Sequence, residues 1–112
     1  MDCLFCRIIA GEIPASKVYE DDRIFAFRDL RPGAPTHILL VPKRHLAGLA
    51  EATASDAELL GALQLKAAEL ARAQPLQGGY RTVLNVGPDA GQSVFHLHLH
   101  LLGGRPLAWP PG

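Results

Sequence analysis

The sequence predicts a single α+β domain, in which a mostly antiparallel five-stranded sheet carries one long helix on a face and a short helix near the N-terminus. Three observations predict it. The chain has 112 residues, enough for one hydrophobic core and too few to divide into two. Short segments with strand patterning are separated by Gly, Pro and Asp punctuation. A single stretch, Leu59, Leu63, Ala67 and Leu70, has sustained helical spacing.

Taken in order, Cys6 to Ala10 reads as a short helix stopped by Gly11 and Pro14. Lys17 to Glu20 and Arg23 to Asp29 read as alternating strands of a hairpin around the Asp21-Asp22 turn. Arg31-Pro32-Gly33-Ala34-Pro35 is a rigid loop, and Thr36 to Val41 is a mostly buried strand that Pro42 ends. Ser55-x-x-Glu58 has the spacing of a capping box and opens the long helix, which Pro75 and Gly78-Gly79 close. Tyr80 to Val86 and Val94 to Leu102 supply the last two strands. The Pro-rich end reads from composition as a tail.

Charge and composition exclude several classes of partner. Lys+Arg and Asp+Glu number 11 each, so no overall field attracts nucleic acid or an acidic membrane surface, although a local basic patch is compatible with the balance. No apolar run reaches the roughly 18 residues of a membrane span, and the start lacks the basic and apolar regions of a secretory signal. A cytoplasmic protein is the expectation. There, Cys3-x-x-Cys6 suits metal or redox chemistry better than a stapling disulfide.

From Val94 to Leu102, imidazoles alternate with large apolar side chains. On a strand this places His96, His98 and His100 on one face, about 6.6 Å apart, and turns Phe95, Leu97, Leu99 and Leu101 to the core. A solvated face would be served by Thr, Ser or Lys without three groups titrating near neutrality. A single metal ion is a poor fit, because zinc usually gathers ligands from separate segments. A nucleophilic histidine fits better: it needs a free ring nitrogen and a partner on the other nitrogen to fix the tautomer. The preceding loop, Gly87-Pro88-Asp89-Ala90-Gly91-Gln92-Ser93, offers backbone groups and a hydroxyl beside such a ring.

His96-Leu97-His98-Leu99-His100-Leu101-Leu102 resembles the signature of the histidine triad (HIT) superfamily. Glu12-Ile13-Pro14, Tyr19-Glu20-Asp21-Asp22, Ala34-Pro35-Thr36-His37, Gly91-Gln92-Ser93-Val94, Leu102-Gly103-Gly104-Arg105 and Trp109-Pro110-Pro111-Gly112 extend the likeness to its nucleotide-binding (HINT) branch, over nearly the whole chain. The resemblance implies a HIT-like fold and a homodimer whose sheets join. It also implies hydrolysis of purine nucleoside 5′-phosphoramidates through a nucleotidyl-histidine. In it His98 matches the nucleophile, His100 the histidine on the phosphate, Ser93 the hydroxyl that assists the leaving amine, and His37 a proton relay. Asp29 and Asn85 match groups on the ribose and its phosphate edge, with Leu30, Gly91 and Gln92 also touching an AMP-like nucleotide. Read without the resemblance, Asp29 is equally a turn residue and His37 a core histidine. Trp109 matches a residue near the partner subunit's site.

The same resemblance implies a structural zinc held by Cys3, Cys6, His45 and His96, a mixed sulfur and nitrogen set drawn from three segments. A redox pair and unligated core thiols are the other readings of these cysteines. For the activity, the alternatives are hydrolysis of dinucleoside polyphosphates and a non-catalytic nucleotide-binding or scaffold role.

Overall fold

The computed structural model describes residues 3–112; Met1 and Asp2 lie outside the described residues. Helix α1 spans Leu4–Ile9, and strands β1 (Lys17–Glu20), β2 (Ile24–Arg28) and β3 (Thr36–Pro42) follow. Helix α2 is Ala57–Arg72, and β4 (Tyr80–Val83) and β5 (Leu99–Gly103) complete the chain. All pairings are antiparallel, in the order β1-β2-β3-β5-β4, so the expected five-stranded sheet forms. No helix among the described residues is long and apolar enough to cross a membrane.

The sheet has two covered faces. Ile24, Ala26, Ile38 and Leu40 pack with Leu63, Ala67 and Ala71 of α2. Their sequence neighbours Phe25, Phe27, Leu39 and Val41 point the other way and pack with Phe5 and Ile8 of α1. This corrects the alternating reading of β2, whose residues from Ile24 to Phe27 are all buried. A strand covered on both faces is a continuous apolar run, and α1 supplies the second cover.

Three other boundaries differ from expectation, each for a local reason. Helix α1 starts earlier because Cys3 caps it, its Sγ accepting the Cys6 N–H at 3.4 Å. The capping box uses Thr53 and Asp56 instead of Ser55 and Glu58 and opens the short 3-10 turn Ala54–Asp56 that leads into α2: the Thr53 N–H donates to the Asp56 carboxylate at 2.8 Å, and Arg44 pairs with the same carboxylate. Strand β4 ends at Val83, where its pairing with β5 stops at His100.

The histidine row is a regular strand only at its end. The β3–β5 ladder stops at Leu40 and Leu99, and the preceding residues find other partners. The Leu97 N–H donates to the Leu46 carbonyl at 2.6 Å, and the His96 ring bonds the Pro42 carbonyl at 2.7 Å. As a result the His98 and His100 ring centroids approach to 4.9 Å. Leu97, Leu99 and Leu101 are buried as expected, whereas Phe95 is 52 % exposed. The C-terminal segment lies along β4, with the Arg81 guanidinium donating to the Ala108 carbonyl at 3.0 Å.

Candidate active site

Strand alternation brings three groups from different segments to one point. Phe25 and Phe27 face α1, so Asp29, two residues beyond Phe27, continues that row. Leu39 also faces α1, which places His37 there. His100 is directly opposite Leu39 and therefore shares the face. His37 Nε2 lies 2.9 Å from His100 Nδ1, and an Asp29 carboxylate oxygen is 3.5 Å from the same Nε2.

The hydrogen-bond partners fix each ring's tautomer. His37 Nδ1 accepts the Gly33 N–H at 2.9 Å, so its proton is on Nε2 and is donated to His100 Nδ1. The His100 proton is therefore on Nε2, a buried atom without a hydrogen-bond partner. His98 Nδ1 donates to the His96 carbonyl at 2.8 Å, which leaves the Nε2 lone pair free. A free imidazole lone pair and an unpartnered N–H thus stand side by side.

Electrostatics hold the His37–His100 pair uncharged. Burial, reinforced by the nearby His98 and His37 rings, pushes His100 down to about 4. Burial also lowers His37, with the Asp29 carboxylate opposing the shift. Neutral rings are what the assigned tautomers require.

Asp29, His98 and His100 open on a cleft of about 450 Å³. One wall is apolar, made by Leu4, Phe5, Ile8, Ile13, Phe27 and Leu39. Asp29, Leu30, Gly91 and Ser93 also line it, beside His98 and His100. Leu30 is 90 % exposed and stands at the rim. Asp29 is both turn residue and site residue: one carboxylate oxygen accepts the Arg31 N–H at 2.8 Å, and the other faces His37. Gly91 has φ +93°, and the side chain of Asn85 lies close behind it, 3.9 Å from where a Cβ would stand.

Three of the sequence-derived residues stand behind the cleft, the first being His37 at the back of His100. Asn85 is reached through Gly91 and is not among the lining residues. Gln92 is buried and fully engaged as a brace: its carbonyl accepts the Gly87 N–H at 2.9 Å, and its amide donates to the Ala47 carbonyl at 2.8 Å. Three groups in contact with the rings carried no sequence signal: the Gly33 N–H, the Pro42 carbonyl and Phe5. The first two are backbone atoms, and Phe5 matches any core aromatic.

His96 faces away from this cleft into a second cluster. Because its Nε2–H donates to Pro42, its Nδ1 lone pair points at Cys3 Sγ, 3.2 Å away, and Cys6 Sγ, 3.5 Å away. His45 Nδ1 is 3.5 Å from Cys6 Sγ, and the four donor atoms lie within 4.8 Å of one another. A tetrahedral zinc with its usual bond lengths separates sulfur from nitrogen by about 3.5 Å. The four residues thus fit a closed structural zinc site. Burial and the neighbouring Cys3 thiol push the Cys6 thiol up, so a cation there displaces a proton.

Comparison with known proteins agrees with this geometry. An uncharacterised HIT-like protein of Synechococcus elongatus is 58 % identical over 111 residues, covering 99 % of this chain and 97 % of that one. A 14 kDa zinc-binding protein of Zea mays is 51 % identical over 111 residues, covering 97 % and 87 %. The crystal structure of a HIT family hydrolase from Legionella pneumophila superimposes with a TM-score of 0.97 at 54 % identity, covering 99 % of this chain and 100 % of that one. The HIT domain is matched over residues 10–107, and with it the histidine row and the strands that orient it: the chain belongs to the HIT domain family.

Proposed function

We propose that this protein is a hydrolase that cleaves the P–N bond of purine nucleoside 5′-phosphoramidates. One observation carries the reading: the free Nε2 of His98 stands beside the unpartnered Nε2–H of His100, at the end of a cleft with an apolar wall. In the first step His98 Nε2 forms a bond to phosphorus as the P–N bond breaks and the amine leaves with an added proton. The imidazole then carries positive charge, and its Nδ1–H bond to the His96 carbonyl becomes charge-assisted and stronger. In the second step water attacks phosphorus, loses a proton and expels His98, so two inversions retain configuration. His100 Nε2–H donates to a phosphoryl oxygen throughout.

The proton for the amine enters from solvent through Ser93, which lines the cleft, and the proton lost by the attacking water leaves by the same route; His37 completes the hydrogen-bond chain behind His100 and keeps the His100 Nε2–H on the phosphoryl oxygen. Asp29 accepts from the ribose hydroxyls, and the apolar wall takes the base, with Leu30 at its edge. Asn85, Gly91 and Gln92 shape the loop that borders the phosphate. Cys3, Cys6, His45 and His96 hold a structural zinc, which when bound supplies cross-linking of α1 to the sheet. The chain functions as a homodimer, a reading supported by β4 being an edge strand of the sheet and by Trp109, which is 80 % exposed.

The test is release of amine from a fluorogenic adenosine 5′-phosphoramidate, with mass spectrometry for an adenylate on His98. Turnover with that adduct is the expected result. A folded protein that leaves this substrate intact and cleaves a diadenosine polyphosphate belongs instead with the polyphosphate hydrolases, and one that binds AMP without turning over either compound is a binding protein.

A further inference from the structure

We propose that Phe5 is a positioning residue that aims the nucleophile, so that the helix bearing both cysteines of the metal cluster also sets the direction of His98. The inference rests on His98 being the nucleophile. Phe5 lies between Cys3 and Cys6 in sequence and is 4 % exposed. Its ring meets the His98 ring edge-on, with centroids 5.1 Å apart and planes at 86°. It meets the His96 ring at 5.9 Å and 68°, and Phe27 of β2 at 5.5 Å and 70°.

The Nδ1–H bond to the His96 carbonyl fixes one point of the His98 ring and leaves the ring free to pivot about that point. An edge-on aromatic against the imidazole removes the pivot, because perpendicular rings have a preferred relative orientation. Together the two contacts define where Nε2 points. Phe5 is in turn held from both sides: Cys3 Sγ accepts the Cys6 N–H across it, and both thiols converge on His96 Nδ1. Each imidazole beside Phe5 therefore has a separate task, and this one ring keeps both in register.

The same ring lines the apolar wall, so loss of base binding and loss of aim must be separated. Phe5→Leu keeps an apolar side chain against the base and removes the perpendicular ring. With zinc content matched to wild type, kcat for the phosphoramidate falls roughly three- to tenfold, the size expected of one aromatic pair, while KM stays within about twofold. A KM rise with kcat unchanged overturns the proposal and leaves Phe5 as wall alone. A spectroscopic readout stands independently of turnover: in ¹⁵N-labelled wild type, the His98 ring protons show nuclear Overhauser contacts to Phe5 and a ring-current shift that Phe5→Leu abolishes. Averaged His98 ring signals without those contacts in folded, zinc-loaded wild type overturn the proposal even if the variant does not fold. Absence of turnover by wild type, with the Phe5 contacts intact, counts against the phosphoramidase reading and not against the coupling of Phe5 to His98.

Discussion

His96 and His100 are the same residue type, four positions apart, and both held below the usual imidazole range by burial, yet they belong to different sites. The difference lies in what each ring's protonated nitrogen finds. His96 gives its Nε2–H to a backbone carbonyl and turns a lone pair toward two sulfurs. His100 accepts the His37 hydrogen bond on Nδ1 and keeps a buried Nε2–H that has no partner. Backbone geometry, and not residue identity, converts one imidazole into a metal ligand and the other into a hydrogen-bond donor.

The comparison is broken most severely at the residue between them. His98→Ala is expected to lower phosphoramidate turnover by on the order of 10³-fold or more, with zinc content unchanged, measured by steady-state kinetics and metal analysis of the same sample. Loss of zinc in that variant would mean that the two sites are not separable. Acid is expected to strike the His100 end next. In the fold that ring stays neutral down to about 4, whereas in the unfolded chain it takes its proton near 6.5. Between those values the unfolded state binds more protons, so stability is complete above about pH 6.5 and is lost as pH falls toward 4, by on the order of 3 kcal/mol. Urea unfolding at pH 7 and pH 4.5 measures this, and His100→Gln should flatten the slope.

Chelation acts on the His96 end. Zinc buffered at a hundred times its dissociation constant contributes about 2.7 kcal/mol, so stripping it should lower the unfolding midpoint clearly, as followed by calorimetry. The smallest effect sharpens the separation. His37→Gln disturbs the hydrogen bond that fixes the His100 tautomer and is expected to lower kcat about tenfold, the worth of one hydrogen bond, while the affinity for zinc stays at the wild-type value.

The sequence made the alternation at His96, His98 and His100 legible because a period of two survives in any extended chain. It did not reveal that the regular ladder begins only at Leu99, because the competing partners are the Leu46 and Pro42 carbonyls, atoms every residue has. Phe95 is the visible cost of that departure, turned outward where the alternation placed it in the core. Likewise Asp29 and His37 were expected near the nucleotide through resemblance alone, and their convergence depends on the β2–β3–β5 register. The second cover of β2 was missed because Phe5 and Ile8 make too short a helix to show a clear apolar stripe.

The opposite facing of neighbours in β3 separates two properties that small enzymes usually vary together. Leu40 is buried against the α2 side, whereas Leu39, one residue before it, is a wall of the cleft. Trimming Leu40 should loosen the packing of α2 and leave the cleft wall unchanged, and trimming Leu39 should widen the cleft with the α2 packing intact. The packing of α2 and the wall of the cleft are thus written on alternate letters of a single strand, so that Leu40 can change without reshaping the cleft.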